Sequence, residues 1–169
     1  MSDSEKPIVS LAGPDDADTV VALFAAMDLH YQGRTFARQD WSETALRQLL
    51  EPESGLRYAV ARIGDAPVGI ACFALFRHDL FHPRSLFLKD LFVRDEARGH
   101  GTGEALVRFL AGLAVKHGVD RIDLTVDAPN EGAARFYARL SGAPVTDKIA
   151  YRFDNRSLTA LAGSQGEER

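Results

Sequence analysis

The sequence is poor in the features that mark several classes of protein. It holds one cysteine in 169 residues, Cys72, which excludes a disulfide framework. No apolar run approaches the roughly 18 residues of a transmembrane helix, and no secretory segment opens the chain, so we expect a cytoplasmic protein with no membrane partner. The net charge of −4 provides no basic surface, which disfavours nucleic acid as a partner.

What the chain does have is an ordinary globular composition. Hydrophobic residues make up 46% of it and charged residues 26%, which is enough for one continuous core. Its length fits a single domain, and the stretches at both ends are polar. We therefore predict a flexible N-terminal tail over 1–6, one domain over 7–156 and a polar C-terminal tail over 157–169.

Hydrophobic periodicity predicts strands and helices that alternate along the domain. In chain order, the predicted elements are a strand at 8–12, a helix that starts at Asp15 or Asp16, a helix at 40–50, a hairpin whose turn is Gly-Asp-Ala-Pro at 64–67, a buried strand at 85–93, a helix at 104–118, a strand at 121–126, a helix at 130–140 and closing strands at 143–145 and 150–153. This order predicts an α/β fold with a mixed sheet and helices on both of its faces.

A glycine-rich segment, Arg-Gly-His-Gly-Thr-Gly-Glu at 98–104, follows the buried strand and opens a helix. It is not a P-loop, because Glu104 stands where that motif needs lysine, and it lacks the G-x-G-x-x-G of dinucleotide sites. The pattern that remains is R/Q-x-x-G-x-G, formed by Arg98, Gly101 and Gly103. Glycines let a backbone approach an anion, and the first amides of a helix attract negative charge, so the segment predicts an anion site. A glycine-rich turn that binds nothing is the alternative.

Two segments together resemble the GNAT N-acetyltransferase superfamily. The first, LFLKDLFVRDEARGHGTGEALVRFL at 86–110, is similar to its acetyl-CoA-binding core. The second, VDAPNEGAARFY at 126–137, is similar to its N-x-x-A-x-x-F-Y segment. Four residues match that second pattern: Asn130, Ala133, Phe136 and Tyr137. The N-terminal helices and the long β-hairpin are similar to the spermidine/spermine and thialysine acetyltransferase branch.

The resemblance implies the acyl-CoA N-acyltransferase fold, a single-domain mixed sheet that is partly splayed, with acetyl-CoA as co-substrate between two central parallel strands. In the family, the main chain at the end of the first of these strands binds the pantetheine arm, the glycine loop holds the pyrophosphate, and an asparagine contacts the arm from the other side. The cofactor-binding residues that carry over are Leu91, Phe92, Val93, Arg98, Gly99, His100, Gly101, Thr102, Gly103, Glu104, Asn130 and Ala133. The resemblance also suggests a homodimer.

Acetyl transfer to an amine needs a neutral amine, a stabilised oxyanion and a proton for the departing thiolate. The resemblance places Tyr137 beside the sulfur, and a phenol can supply that proton because its ordinary pKa is near 10. The alternative is an ordinary aromatic pair of Phe136 and Tyr137. By position, Asp90, His30 and Tyr31 match acceptor contacts and are predicted to bind the substrate. A pairing role for Asp90, and ordinary surface roles for the two helix-end residues, are the alternatives.

The chain departs from the family's pattern at two positions. The polyamine branch commonly carries two acids where this chain has Lys89 and Asp90, and a cation there disfavours a polycationic substrate. Strand alternation is expected to keep these two side chains on opposite faces. Ser141 is one residue more than F-Y-x-x-x-G allows, and we expect it to reshape the C-terminal cap of the helix.

The predicted function is therefore N-acetyl transfer from acetyl-CoA to a primary amine of a small molecule, such as a polyamine or an amino acid. An acyl-CoA sensor without turnover, or transfer to a protein N-terminus or lysine, are the alternatives. No metal is predicted, because the spacing of His78 and His82 suits zinc only on a helix and Pro83 argues against a helix there.

Overall fold

Five strands and the helices beside them form a mixed α/β fold. The computed structural model describes residues 6–31, 51, 54–77 and 84–163, and these divide into two compact units that meet in sequence between Asp127 and Ala128. In the first unit the elements are β1 (Ile8–Leu11), α1 (Ala17–Tyr31), β2 (Leu56–Ile63), β3 (Ala66–Arg77), β4 (Arg84–Val93), α2 (Thr102–Lys116) and β5 (Ile122–Leu124), with 3-10 turns at Pro14–Asp16 and Asp95–Ala97.

The sheet follows chain order, β1-β2-β3-β4-β5. The first four strands pair antiparallel, and the predicted hairpin turn joins β2 to β3. β5 pairs parallel with β4, since α2 carries the chain back across the sheet between them. The predicted mixed sheet with flanking helices is confirmed.

Helices α1 and α2 cover opposite faces of the sheet. The apolar positions of α1 that recur at helical spacing, among them Leu23 and Phe24, pack with Ile70 in one buried cluster. Its neighbour in β3, Gly69, faces the other way, because a Cβ there would lie 3.3 Å from Leu106 in α2. The missing side chain lets α2 lie directly on the strand.

Several predicted boundaries differ from the observed ones. α2 begins at Thr102, two residues before the predicted start, and β5 keeps only the middle of the strand predicted at 121–126. The helix predicted at 40–50 and the loop with His78 and His82 lie outside the described residues.

The second unit contains α3 (Glu131–Arg139) and α4 (Asn155–Gly163). The closing strands predicted at 143–145 and 150–153 are wrong: both stretches are irregular, and the side chains of Tyr151 and Phe153 are 86% and 61% exposed. Their alternating apolar pattern suits a strand, but a strand forms only where a neighbouring strand completes its hydrogen bonds.

Helix α4 occupies the start of the stretch predicted as a polar tail. Its N-terminal cap is Asp154, whose Oδ1 accepts a hydrogen bond from the Ser157 amide at 3.0 Å. The bonds from Ser157 lower the pKa of the Asp154 carboxyl. A capping residue with a hydroxyl three positions later was a legible helix-start signal that the sequence interpretation missed.

Ser141 does reshape the end of α3, as predicted. It has a left-handed φ of 68° and donates its amide to the Ala138 carbonyl, while the Gly142 amide donates to the Tyr137 carbonyl. These two bonds make a Schellman motif in which a serine takes the left-handed position that glycine usually holds.

Candidate functional site

The pairing between the parallel strands β4 and β5 ends before β4 does. Their pairing runs from Leu86 with Ile122 to Leu88 with Leu124, and β4 then continues to Val93 with no described strand paired on that side. Along this stretch β4 pairs with β3, and Arg94 directly after it donates its amide to the Val68 carbonyl of β3. By alternation, the main chain of Leu91 and Val93 faces away from β3. Among the described strands, none pairs with this edge, which suits an extended group that carries amides.

The predicted glycine loop lies directly beyond this edge. Gly99 and Gly101 have left-handed φ values of 78° and 80°, and Gly101 is the N-terminal cap of α2. The first helical bond runs from the Ala105 amide to the Gly101 carbonyl, so the three preceding amides lie outside the helical ladder. No side chain caps them among the described residues. These amides and the helix dipole make the loop a site for an anion.

Thr102 braces the loop from inside. It is only 1% exposed, and its hydroxyl donates to the Ala97 carbonyl at 3.1 Å. Its methyl group lies over Gly69, where a Cβ would also meet the Phe92 carbonyl at 3.0 Å. The Thr102 side chain is therefore structural, and only its main chain remains for a ligand.

Arg98 links the loop to the end of β4 and to α1. Its Nε donates to the Val93 carbonyl at 3.0 Å, and its Nη1 lies 2.8 Å from Asp95 Oδ1. Its Nη2 lies 3.2 Å from His30 Nε2. The sequence interpretation assigned Arg98 to the cofactor and His30 to the acceptor, but in the structure these two side chains are in contact. Asp95 was missed, although its spacing of three residues from Arg98 was a legible signal.

Asp90 lies at the edge of a polar row on the α1 face of the sheet. Tyr58, Cys72 and Asp90 are register partners on β2, β3 and β4. Tyr58 and Cys72 share a hydrogen bond; burial first, and the nearby Asp90 charge second, raise the pKa of the Cys72 thiol to about 12. Cys72 is therefore a protonated core residue, and Asp90, whose side chain is 28% exposed, is the member of the row that solvent reaches.

Lys89 and Asp90 form an ion pair, so the prediction that strand alternation separates them is wrong. The Nζ of Lys89 lies 3.1 Å from Asp90 Oδ2. The register shifts here, since Cys72 pairs with Asp90 while Phe73 pairs with Leu88, which leaves Lys89 as the extra residue of a β-bulge. A bulge interrupts the alternation on which the prediction rested.

In the second unit, Asn130 is the N-terminal cap of α3. Its Oδ1 accepts a hydrogen bond from the Ala133 amide at 3.0 Å, which gives the N-x-x-A spacing a local structural role. The amide nitrogen of Asn130 has no part in this bond. Farther along α3, the rings of Phe136 and Tyr137 meet edge to face with centroids 5.0 Å apart.

The predicted residues thus fall into two sets. One set lies in the first unit at the β4–α2 joint or beside it: Leu91, Phe92, Val93, Arg98, Gly99, His100, Gly101, Thr102, Gly103, Glu104, Asp90, His30 and Tyr31. The other set lies in the second unit: Asn130, Ala133 and Tyr137. Within the first set, Glu104 Oε1 forms an ion pair with Arg108 Nε at 2.7 Å. The ring centroids of His30 and Phe92 lie 6.1 Å apart.

Among the described residues, no cluster of three His, Cys, Asp or Glu side chains could hold a metal ion. None of the helices described is long and apolar enough to span a bilayer.

Comparison with known proteins gives related sequences and a related fold. Thialysine N-epsilon-acetyltransferase of Bos taurus is 27% identical over 103 residues, which is 59% of this chain and 60% of the relative's length. An uncharacterized N-acetyltransferase of Methanocaldococcus jannaschii is 27% identical over 128 residues, 75% of this chain and 56% of that protein. The chain thus spans less than two thirds of the curated relatives it matches.

Among solved structures, an integron cassette protein from the mobile metagenome of V. cholerae shares the fold. It superposes with a TM-score of 0.79 at 27% identity, over 93% of this chain and 98% of the other. The model of the acetyltransferase (GNAT) family matches residues 23–143, which include β4, the glycine loop and α3. The chain therefore belongs to the GNAT acetyltransferase family.

Proposed function

We propose that this protein is an N-acetyltransferase that moves the acetyl group of acetyl-CoA to the primary amine of a small molecule. The observation that carries the proposal is the joint between β4 and α2. There, a strand edge without a partner among the described strands leads into left-handed glycines and a helix N-terminus whose first amides no described side chain caps. Family membership supports acetyl-CoA as the co-substrate.

The residues of the joint fit the chemistry of coenzyme A. Its arm carries amides, which the main chain of Leu91 and the amide of Val93 can pair with as a strand would, while the Val93 carbonyl accepts from Arg98. Its diphosphate suits the amides at the start of α2. Of the five N–H donors of Arg98, Val93, Asp95 and His30 occupy three, which leaves two for the anion as far as the described residues show.

The reaction needs one proton donor and one proton acceptor. The amine nitrogen attacks the thioester carbonyl carbon, the C–S bond breaks, and sulfur leaves with the bonding electron pair. Tyr137 gives its phenolic proton to the sulfur and regains one from solvent, while the amine nitrogen releases its proton to a base or to water. Asn130 caps the N-terminus of the helix that carries Tyr137.

The acceptor is a small amine rather than a polycation. Asp90 offers a partly exposed carboxylate to an ammonium group, but Lys89 already pairs with it and lowers the local negative charge. The name of the bovine relative points to an Nε amine of thialysine as one acceptor to test. Tyr31, at the end of α1, is the further acceptor contact that we propose.

Isothermal titration with CoA, followed by a thiol-release assay with acetyl-CoA and a panel of amines, tests the proposal. The panel contains thialysine, lysine, spermidine, an aminoglycoside and a peptide with a free N-terminus. Release with at least one small amine supports the proposal. CoA binding without release from any amine favours an acyl-CoA sensor, and release with the peptide alone favours a protein acetyltransferase.

The variant Tyr137→Phe tests the proton donor. We expect kcat to fall by about 10²- to 10³-fold, the range of general acid catalysis, while the Kd for CoA stays within about twofold. Tyr151→Phe is the matched control, because Tyr151 lies in the same unit and its side chain is 86% exposed. Equal kcat values in the two variants would remove Tyr137 from the mechanism.

The proposal includes a cytoplasmic homodimer. Both features come from the sequence interpretation and its family resemblance. Light scattering coupled to size-exclusion chromatography measures the mass in solution, and a mass near 18.5 kDa, that of one chain, would exclude the dimer.

A further inference from the structure

His30, which the sequence analysis predicts to bind the acceptor, contacts residues on the cofactor side of the proposed site. The ring lies at the end of α1 and contacts Asp95, Arg98, Tyr31 and Phe92. Asp95 and Arg98 belong to the 3-10 turn and the loop that lead from β4 into α2. Position in sequence gave no sign of this, since His30 and Arg98 are 68 residues apart.

The contact with Arg98 defines the role of the His30 ring. A guanidinium only donates hydrogen bonds, so the Nε2 that lies 3.2 Å from Arg98 Nη2 can pair with it only as an acceptor. On the other side of the ring, Nδ1 faces Asp95 Oδ1 at 3.6 Å. That distance is too long for a hydrogen bond but short enough for electrostatic attraction.

Arg98 is held by three contacts that point in different directions. The Val93 carbonyl takes Nε, Asp95 takes Nη1 and His30 takes Nη2. Asp95 is 72% exposed, so its pair with Arg98 is weak alone and leaves the guanidinium free to swing. The His30 ring is the contact that comes from outside the continuous segment from β4 to α2, and together with the other two it fixes the plane of the guanidinium beside the glycine loop.

We propose that His30 is a positioning residue for the co-substrate: its ring nitrogen orients Arg98 so that the two remaining N–H donors face the diphosphate of coenzyme A. This inference rests on the proposed function of the glycine loop.

The test measures the Kd for CoA by calorimetry at pH 8. We expect His30→Ala to raise the Kd by about two- to fivefold, the scale of one partly exposed charged contact. His30→Gln should restore most of that loss, because its amide oxygen can accept from Arg98.

Two further measurements separate positioning from other roles. In an Arg98→Ala background, His30→Ala should change the Kd no further, because the residue acts through Arg98. Leu29→Ala, a neighbour on α1 that is 66% exposed, is the control and should bind CoA as the wild type does.

Three results would overturn the inference. They are an unchanged CoA Kd in His30→Ala, a CoA Kd in His30→Gln as high as in His30→Ala, and a raised KM for the amine with no change in CoA binding, which would make His30 an acceptor contact. A wild-type protein that binds no CoA at all would instead refute the proposed function.

Discussion

We expect Gly101→Ala to lower the free energy of unfolding and Gly112→Ala to raise it, although the first residue caps α2 and the second lies within the same helix. Gly101 is the cap, with a φ of 80° and ψ of 2°, whereas Gly112 lies within the helix. A Cβ would meet nothing within 4 Å at either position. The comparison therefore isolates backbone conformation from packing.

The magnitudes follow from the backbone alone. A left-handed conformation costs an L-residue about 1–2 kcal/mol, offset in part by the smaller conformational entropy that alanine loses, so Gly101→Ala should lower the free energy of unfolding by about 1 kcal/mol. Gly112→Ala should raise it by about 0.5–1 kcal/mol, the difference between alanine and glycine in a helix. The two variants should thus differ by about 2 kcal/mol.

The effect on binding should be larger at Gly101. If alanine shifts the cap toward negative φ, at least one loop amide no longer points at the diphosphate. A hydrogen bond to a charged group contributes about 1.5–3 kcal/mol, so the Kd for CoA should rise about tenfold to a hundredfold. Gly112→Ala should bind CoA as the wild type does, because its Cβ lies away from the loop.

Urea unfolding followed by circular dichroism gives the two stabilities, and calorimetric titration gives the two affinities. A Kd for Gly101→Ala within twofold of that for Gly112→Ala would refute the glycine loop as the anion site. Stabilities within 0.5 kcal/mol of each other would refute the left-handed cap, because about 2 kcal/mol is expected from the conformational argument.

Two further predictions concern the thiol and the cap of α3. With a pKa of about 12, against about 8.5 for a free thiol, Cys72 should react with Ellman's reagent at pH 8 about a thousandfold more slowly in the native protein than in urea. A native reaction rate within tenfold of the rate in urea would contradict the raised pKa. Because the pKa of Cys72 is higher in the folded protein than in the unfolded one, the neutral thiol contributes fully to stability below about pH 8.5, and this contribution is lost as the pH rises towards 12. Ser141→Gly should raise the free energy of unfolding by about 1 kcal/mol by relieving its left-handed φ, and Ser141→Ala should bring no gain; equal urea midpoints would contradict this.

The elements that the sequence predicted well are those with a local signal. The hairpin turn, the buried strand that became β4 and the helix that follows the glycines all appear where periodicity and turn residues placed them. The spacing of Asn130 and Ala133 carries part of the family resemblance. The structure shows that the same spacing lets Asn130 cap a helix through the Ala133 amide.

The predictions that were wrong concern features that depend on contact with a second strand or helix. The local sequence around Lys89 does not show that the register between β3 and β4 shifts by one residue there. Only that shift brings the side chains of Lys89 and Asp90 together. The stretches at 143–145 and 150–153 have the alternation of strands, yet the structure gives them none. Local pattern measures what a segment would prefer if a partner were present.

The sequence by itself determined that a hairpin joins two strands at 64–67, that a helix follows the glycines, and where glycine backbone can turn and approach an anion, because those properties depend on dihedral preferences and periodicity within a few residues. Only the tertiary structure decided that β4 outruns β5, that a bulge pairs Lys89 with Asp90, and that His30 meets Arg98 across 68 residues of chain. Those contacts join segments far apart in sequence. They follow from how the sheet and its helices bury their apolar faces together, which no short stretch of the chain encodes.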